Sequence, residues 1–264
     1  MPTFQNTSFA SFFKRIYQVS QTSNTGIDAT TRNVQTGDGV NTSISMSDDV
    51  LQVQPQNDNT TSSFVVKNQS GSAILAADTS NSRVLCGSSQ VNALTQYRTF
   101  SGFSMTPSGA GAHMVLGGAS VDFASTGLHE VTLGTGTDPA TTLDVSAEAA
   151  ESHGLVQLYW YLPDAITIMS ASVLMGGNNA TDSILNFHLM SYAMDTSSNY
   201  GDLSDGTVIA DSGTTSAVDE DVIKLVAMTN LPTDVAAGRI ILATVESSAT
   251  LIVSAQMTVK YHIQ

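Results

Sequence analysis

Charge is scarce in this chain. Only 12% of its 264 residues are Asp, Glu, Lys or Arg, and just nine of those are basic. So few cations exclude a basic nucleic-acid binder, and 41% apolar residues exclude a disordered tail. Cys86 is the sole cysteine, so neither an intramolecular disulfide nor a thiolate metal site can form. At a strand end, Arg83-Val84-Leu85-Cys86-Gly87, it reads as a small buried residue rather than a nucleophile. Aromatics are 6%, and no apolar run approaches membrane-spanning length. The first residues do not read as a secretory signal, because Phe12-Phe13 are followed at once by Lys14-Arg15. The chemistry of common sites is also missing. There is no Gly-x-Ser-x-Gly elbow, no phosphate-binding glycine loop ahead of a helix and no zinc-protease helix.

What the chain does have is Ser, Thr, Asn, Asp and Gly crowded between short Val/Ile/Leu runs, the pattern of an all-β protein with many turns. Its charge is unevenly placed. Six basic residues balance six aspartates over 1–98, whereas residues 99–264 hold three basic residues against seventeen acids, the whole net charge of −14. This predicts two parts, the second soluble and outward-facing, with no nucleic acid as its partner.

Phe9, Phe12, Phe13, Ile16 and Tyr17 recur at helical spacing behind Ser8 as N-cap, predicting a short helix from about Phe9 to Gln21. Such a helix is unstable alone, so its aromatic stripe needs a surface: its own assembly partners or another protein. Short strands come next around Val50–Gln54, Phe64–Lys67, Ala73–Ala76 and Arg83–Leu85, separated by Asn/Asp/Gly/Ser turns. Phe64 is their only aromatic, and so little bulk cannot close a core in one chain. Intertwining of identical chains round a common axis is the expected solution. Beyond residue 99 the strands lengthen: Leu155–Leu162 with Tyr159, Trp160 and Tyr161, then Ile166–Met175, Ile184–Met194, Ile240–Glu246 and Leu251–Ile263. The last alternates strictly, as a half-buried antiparallel strand does. Ile184–Met194 is apolar on both faces, so a neighbouring subunit is expected to cover Ile184, Phe187, Met190 and Tyr192. About ten strands point to a jelly-roll-like β-sandwich.

Several stretches carry a family resemblance. Phe13-Lys14-Arg15-Ile16-Tyr17-Gln18-Val19-Ser20-Gln21-Thr22 and Thr31–Gly39 resemble the start of virion fibre-like proteins of marine tailed phages. Ile74–Val84 resembles the strand–turn–strand repeat of phage fibre shafts. Leu185–Tyr192 and Val259–Ile263 resemble the terminal domains of similar proteins. The resemblance implies a homotrimer held on the particle by its N-terminus, through a capsid protein or tail adaptor, with the C-terminal domain displayed. The resulting expectation is a particle-anchoring segment over 1–40, an intertwined β shaft and connector over 41–98 and a β-sandwich knob over 99–264. Phe9, Phe12, Phe13, Ile16 and Tyr17 are the docking residues. The protein is expected in the virion, after assembly in the host cytoplasm, without membrane insertion. Attachment to a host-surface glycan or protein stays open as a role. The alternatives are a capsid decoration protein without a receptor role and a carbohydrate-binding or depolymerising spike.

The remaining candidates for chemistry are weak. His113, His129, His153, His188 and His262 never fall at ligand spacing, so surface or packing roles are expected and no metal site. The close acidic groupings, Asp219-Glu220-Asp221 and Glu148/Glu151, come without an aromatic subsite row. No catalytic residue and no cofactor is therefore expected. Asp195–Gly206 is rich in oxygen donors but departs from the EF-hand pattern at Tyr200 and Gly206, leaving an acidic surface loop as the expectation and calcium as the open alternative.

Overall fold

The computed structural model describes residues 17–20, 26–89, 91–106, 111–117, 131–147, 152–177, 184–216, 222–249 and 252–264. The chain divides at Leu94/Thr95 into two units, where the sequence placed a boundary at 98/99, within what proves to be a strand.

The first unit contains two four-stranded antiparallel meanders. One joins β1 (Tyr17–Val19), β2 (Arg32–Thr36), β3 (Asn41–Met46) and β4 (Leu51–Val53) in chain order. Its register sorts the side chains by chemistry. Val19 opposes Val34, Ile44 opposes Val53 and Met46 opposes Leu51 on one face, which Arg32 opposite Met46 and the Tyr17–Thr36 pair flank, while Gln18–Gln35, Asn33 and Ser45–Gln52 form the other. Tyr17 thus lies in a strand, 66% exposed, opposite Thr36. The predicted helix does not extend through residues 17–19. Pairing with β2 satisfies their backbone and puts Val19 beside Val34, which a last helical turn would not do. Phe9, Phe12, Phe13 and Ile16 lie outside the described residues.

The second meander joins β5 (Phe64–Lys67), β6 (Ala73–Asp78), β7 (Arg83–Cys86) and β8 (Val91–Asn92). Phe64, Val66, Leu75, Ala77, Val84, Cys86 and Val91 share a face through the pairs Phe64–Ala77, Val66–Leu75, Ala77–Val84, Leu75–Cys86 and Cys86–Val91. That face is apolar apart from Lys67, which opposes Ala73 at its end, yet Phe64, Val66, Val84 and Val91 are exposed. Cys86, read from sequence as buried, is exposed with them.

The second unit is a two-sheet antiparallel sandwich. Its strands are β9 (Thr95–Met105), β10 (Ala112–Leu116), β11 (Thr132–Thr135), β12 (Trp160–Tyr161), β13 (Ile166–Gly177), β14 (Ile184–Met194), β15 (Leu203–Asp211), β16 (Thr215–Ser216), β17 (Ile223–Ala227), β18 (Thr233–Val235), β19 (Arg239–Ser247) and β20 (Val253–Ile263). The smaller sheet runs β17-β13-β20-β9 and the larger β11-β10-β19-β14-β15. Numbered along the chain, the eight principal strands are β9, β10, β13, β14, β15, β17, β19 and β20. The first, eighth, third and sixth then share one sheet, and the second, seventh, fourth and fifth the other. This is the double Greek key of a jelly roll, and the all-β sandwich expectation holds.

Phe100, Ile168, Val173, Met257 and Val259 meet Leu116, Phe187, Leu189, Ile241 and Val245 between the sheets. A second cluster lies on the far face of the larger sheet, where Val115, Leu133, Met190, Tyr192, Leu203, Ile240 and Leu242 are covered by Leu143 and the helix α1 (Ser152–Leu158) through Leu155 and Leu158. The run Leu155–Leu162 is therefore not one strand. Leu155 and Leu158, three apart, sit on one face of α1, and only Trp160–Tyr161 pair with β19. Strand β14 is buried on both faces as expected, but its cover comes from its own chain. Phe187, Met190 and Tyr192 are each at most 1% exposed, which removes them as subunit-interface residues; Ile184, at 41%, stays accessible.

Candidate functional site

The polar centre of the second unit grows out of strand register. On β14, Asn186 and His188 continue the row of Met190 and Tyr192; on β19, Thr244 and Glu246 continue that of Ile240 and Leu242. His113 on β10 opposes Glu246, Asn186 opposes Glu246 across the other edge of β19, and His188 opposes both Thr244 and Asp211 of β15. Four adjacent strands thus bring His113, Glu246, His188 and Asp211 to one end of the sheet's outer face. The turn after β11 closes over them: His113 Nε2 donates to the Gly136 carbonyl at 3.2 Å, and Asp138 Oδ1 lies 4.0 Å from His188 Nε2. That turn packs so closely that Gly111, at φ +73°, has no room for a side chain; a Cβ there would sit 3.0 Å from Gly136 N.

His188 Nε2 is 3.5 Å from Asp211 Oδ2 and 3.3 Å from Asn186 Nδ2, and His113 Nε2 is 3.1 Å from Glu246 Oε2. The two imidazoles meet edge to face at 5.2 Å and are fully buried. Burial pushes the pKa of each below the ordinary histidine value, against the pull of Asp138 on both and of Asp211 on His188. Burial also pushes the Glu246 carboxyl up, with Asp211 and Asp138 adding repulsion. The centre therefore sets neutral imidazoles beside carboxylates. Asp138, His188 and Asp211 offer ligand atoms all within 4.8 Å of one another. His113, His188 and Thr244 are buried, and the Asp138 side chain stands exposed at the rim of the centre.

Sequence spacing could not show this site, since its members fall at 113, 138, 188, 211 and 246. One signal was present. Asn186, His188, Thr244 and Glu246 interrupt rows that are apolar at the other end. His129, Glu148, Glu151 and Asp219–Asp221 lie outside the described residues. The Asp195 loop uses its oxygens internally: Asp195 Oδ1 accepts from Ser197 N at 2.7 Å and from Ser198 N, holding its pKa well below the carboxylate range, and Asp202 Oδ1 accepts from Val145 N at 2.9 Å.

The exposed aromatic and aliphatic side chains gather elsewhere. Around a groove of about 370 Å³ on the outer face of the smaller sheet stand Phe103, Leu174 and Ile223. Phe103 and Ile223 are 69% and 74% exposed, and Leu225, which opposes Leu174, is 69% exposed. Among the described residues no helix is long and apolar enough to cross a membrane.

No family model matches the chain, and no curated protein matches it. Among solved structures, a chain from the single-particle structure of maize chlorotic mottle virus is similar at 12% identity and a TM-score of 0.25, covering 65% of this chain and 94% of that one. A likeness of that size carries no functional argument.

Proposed function

We propose that this chain is a structural fibre or spike subunit of a tailed phage particle, assembled as a parallel homotrimer. Its N-terminus holds it to a capsid or tail protein, and its acidic jelly roll is displayed outward. The observation that carries the reading is the apolar face of the second meander, Phe64 to Val91, together with its counterpart Val19, Val34, Ile44, Met46, Leu51 and Val53 on the first. Single-layer sheets of this size do not hold an apolar face in water without a partner. Copies of the same chain supply identical faces, and closure about one axis buries all of them together. In the jelly roll the copies meet through Phe103, Leu174, Ile223 and Leu225, in place of the buried residues of β14.

Phe9, Phe12, Phe13 and Ile16 remain the proposed docking stripe, each buried phenylalanine contributing roughly 1.5–3 kcal/mol. Light scattering of the purified protein tests the assembly: a mass three times the 27.6 kDa chain is expected, and a stable monomer at micromolar concentration rejects it. The double substitution Phe12→Ser with Phe13→Ser then tests docking. An intact trimer missing from particles supports the anchor, whereas normal incorporation rejects it.

A further inference from the structure

We infer that Asp138, His188 and Asp211 form a binding site for a divalent cation of the zinc class on the outer face of the jelly roll. His188 Nε2, Asp211 Oδ2 and Asp138 Oδ1 point at one space, with edges of 3.5 and 4.0 Å from the imidazole nitrogen. Tetrahedral zinc with bonds of roughly 2.0–2.2 Å to N and O needs ligand atoms about 3.4 Å apart. The Asp211 edge already meets this. The Asp138 side chain is 70% exposed and can close the small remainder. Solvent reaching the site along it supplies the fourth ligand.

Two further observations point to a missing partner. His113 Nδ1, His188 Nδ1, Thr244 Oγ1 and Glu246 Oε2 are buried atoms without a hydrogen bond, so the polar centre is incomplete beside the three ligand atoms, though not at them. Among the described residues, the ion pairs at this centre join its carboxylates only to the two imidazoles. Three carboxylates thus converge with no lysine or arginine paired to them, and a dication would balance that charge. An imidazole ligand favours zinc over calcium, which takes oxygen donors. The His113–Glu246 pair stands behind the ligands, while the Asn186 amide, 3.3 Å from His188 Nε2, turns away when that nitrogen takes the metal.

The test uses the full chain, stripped with a chelator and titrated with zinc chloride by calorimetry. One equivalent per chain and a raised melting temperature are expected, with X-ray absorption showing a nitrogen and oxygen shell that includes one imidazole. Asp138→Asn, at an exposed position where folding is undisturbed, should abolish the saturable binding, and Asp211→Asn should do the same. Glu246→Gln should weaken it about tenfold. Absence of binding, unchanged binding in both aspartate variants, or calcium bound in preference to zinc would overturn the site.

Discussion

The two units are built from the same antiparallel ladder and bury it to opposite extents. In the N-terminal unit Ala76 is the one apolar side chain among the described residues that is buried; Ser45, in the other meander, and Asp78 are the buried polar ones. In the jelly roll, by contrast, both faces of the larger sheet are covered, one by the smaller sheet and the other by α1 and the segment around Leu143. The difference lies in where the chain goes as it leaves each strand. Turns such as Asn68–Ser72 and Thr79–Ser82 return the chain to the neighbouring position in the same sheet, so no second layer arises. Apart from the β14–β15 pair, the jelly roll sends its successive principal strands to opposite sheets, which builds a core from one chain. Alternation of apolar residues therefore says that a face wants cover, and connectivity decides whether the chain provides it.

The strongest way to break this comparison is to separate the units. Residues 95–264 alone should give a β spectrum and a cooperative melt independent of concentration. Residues 1–94 alone should melt at a temperature that rises with concentration, as expected where folding is linked to association. A concentration-independent melt of the shorter fragment would show that it needs no partner copy.

Next in size is a matched pair of core and face substitutions. Phe187→Ala removes a fully buried ring from between the sheets and should cost about 3–5 kcal/mol, lowering the melting temperature of the C-terminal unit by roughly 10 °C. Val84→Ser, at a residue 44% exposed, should leave that melt unchanged and weaken the trimer instead, read by light scattering on dilution. A trimer indifferent to Val84→Ser would remove the second meander from the assembly surface.

Much of this was legible in the residues. The alternation of β20 predicted Leu251, Val253, Ala255, Met257, Val259, Tyr261 and Ile263 on one face; Val253, Ala255, Met257 and Val259 are buried, Tyr261 is half-buried, Ile263 is exposed at the strand end, and Leu251 lies outside the described residues. The two-sided burial of β14 was equally plain, but its cover was not. Leu155 and Leu158 supply that cover at helical spacing, and the aromatic trio beside them reads as strand when taken alone. The histidine and carboxylate centre was invisible because cross-strand register, which is nonlocal, is what joins positions 113, 188, 211 and 246.

A smaller effect than the core deletion is expected at Gly206. Its backbone N–H donates to the Thr141 carbonyl at 2.9 Å, and a Cβ added there would lie 2.5 Å from Tyr192 Cε1 and 2.7 Å from Thr141 Cα. Tyr192 cannot swing aside freely, since it is buried and its hydroxyl donates to the Ala140 carbonyl at 2.8 Å. Gly206→Ala should therefore cost about 1–3 kcal/mol by overpacking, measured by denaturant unfolding of the C-terminal unit. A neutral result would mean that the outer layer is loose, and the contrast with the N-terminal unit correspondingly weaker.

The smallest effect concerns charge in a unit without a deep core. Asp28 is bonded to the Arg32 guanidinium at the start of β2, which holds its pKa down at about 2, with the Thr30 backbone N–H adding to the effect. At the β6–β7 turn, Asp78 is held below its ordinary value first by the Asn81 side chain, then by Arg83 at 2.8 Å and the Asn81 backbone N–H. Both are carboxylates whose folded pKa is depressed. Their contribution to stability is thus complete above the unfolded value of about 4 and is lost as pH falls from there through the folded values. Amide-exchange protection in β6 and β7 should decline across that acid window, and Asp78→Asn should flatten the decline because its side chain no longer titrates. If the variant keeps the full acid dependence, the turn is held by something other than the Asp78 charge, and the small buried centre at Ala76 carries more of this unit than its exposed faces suggest.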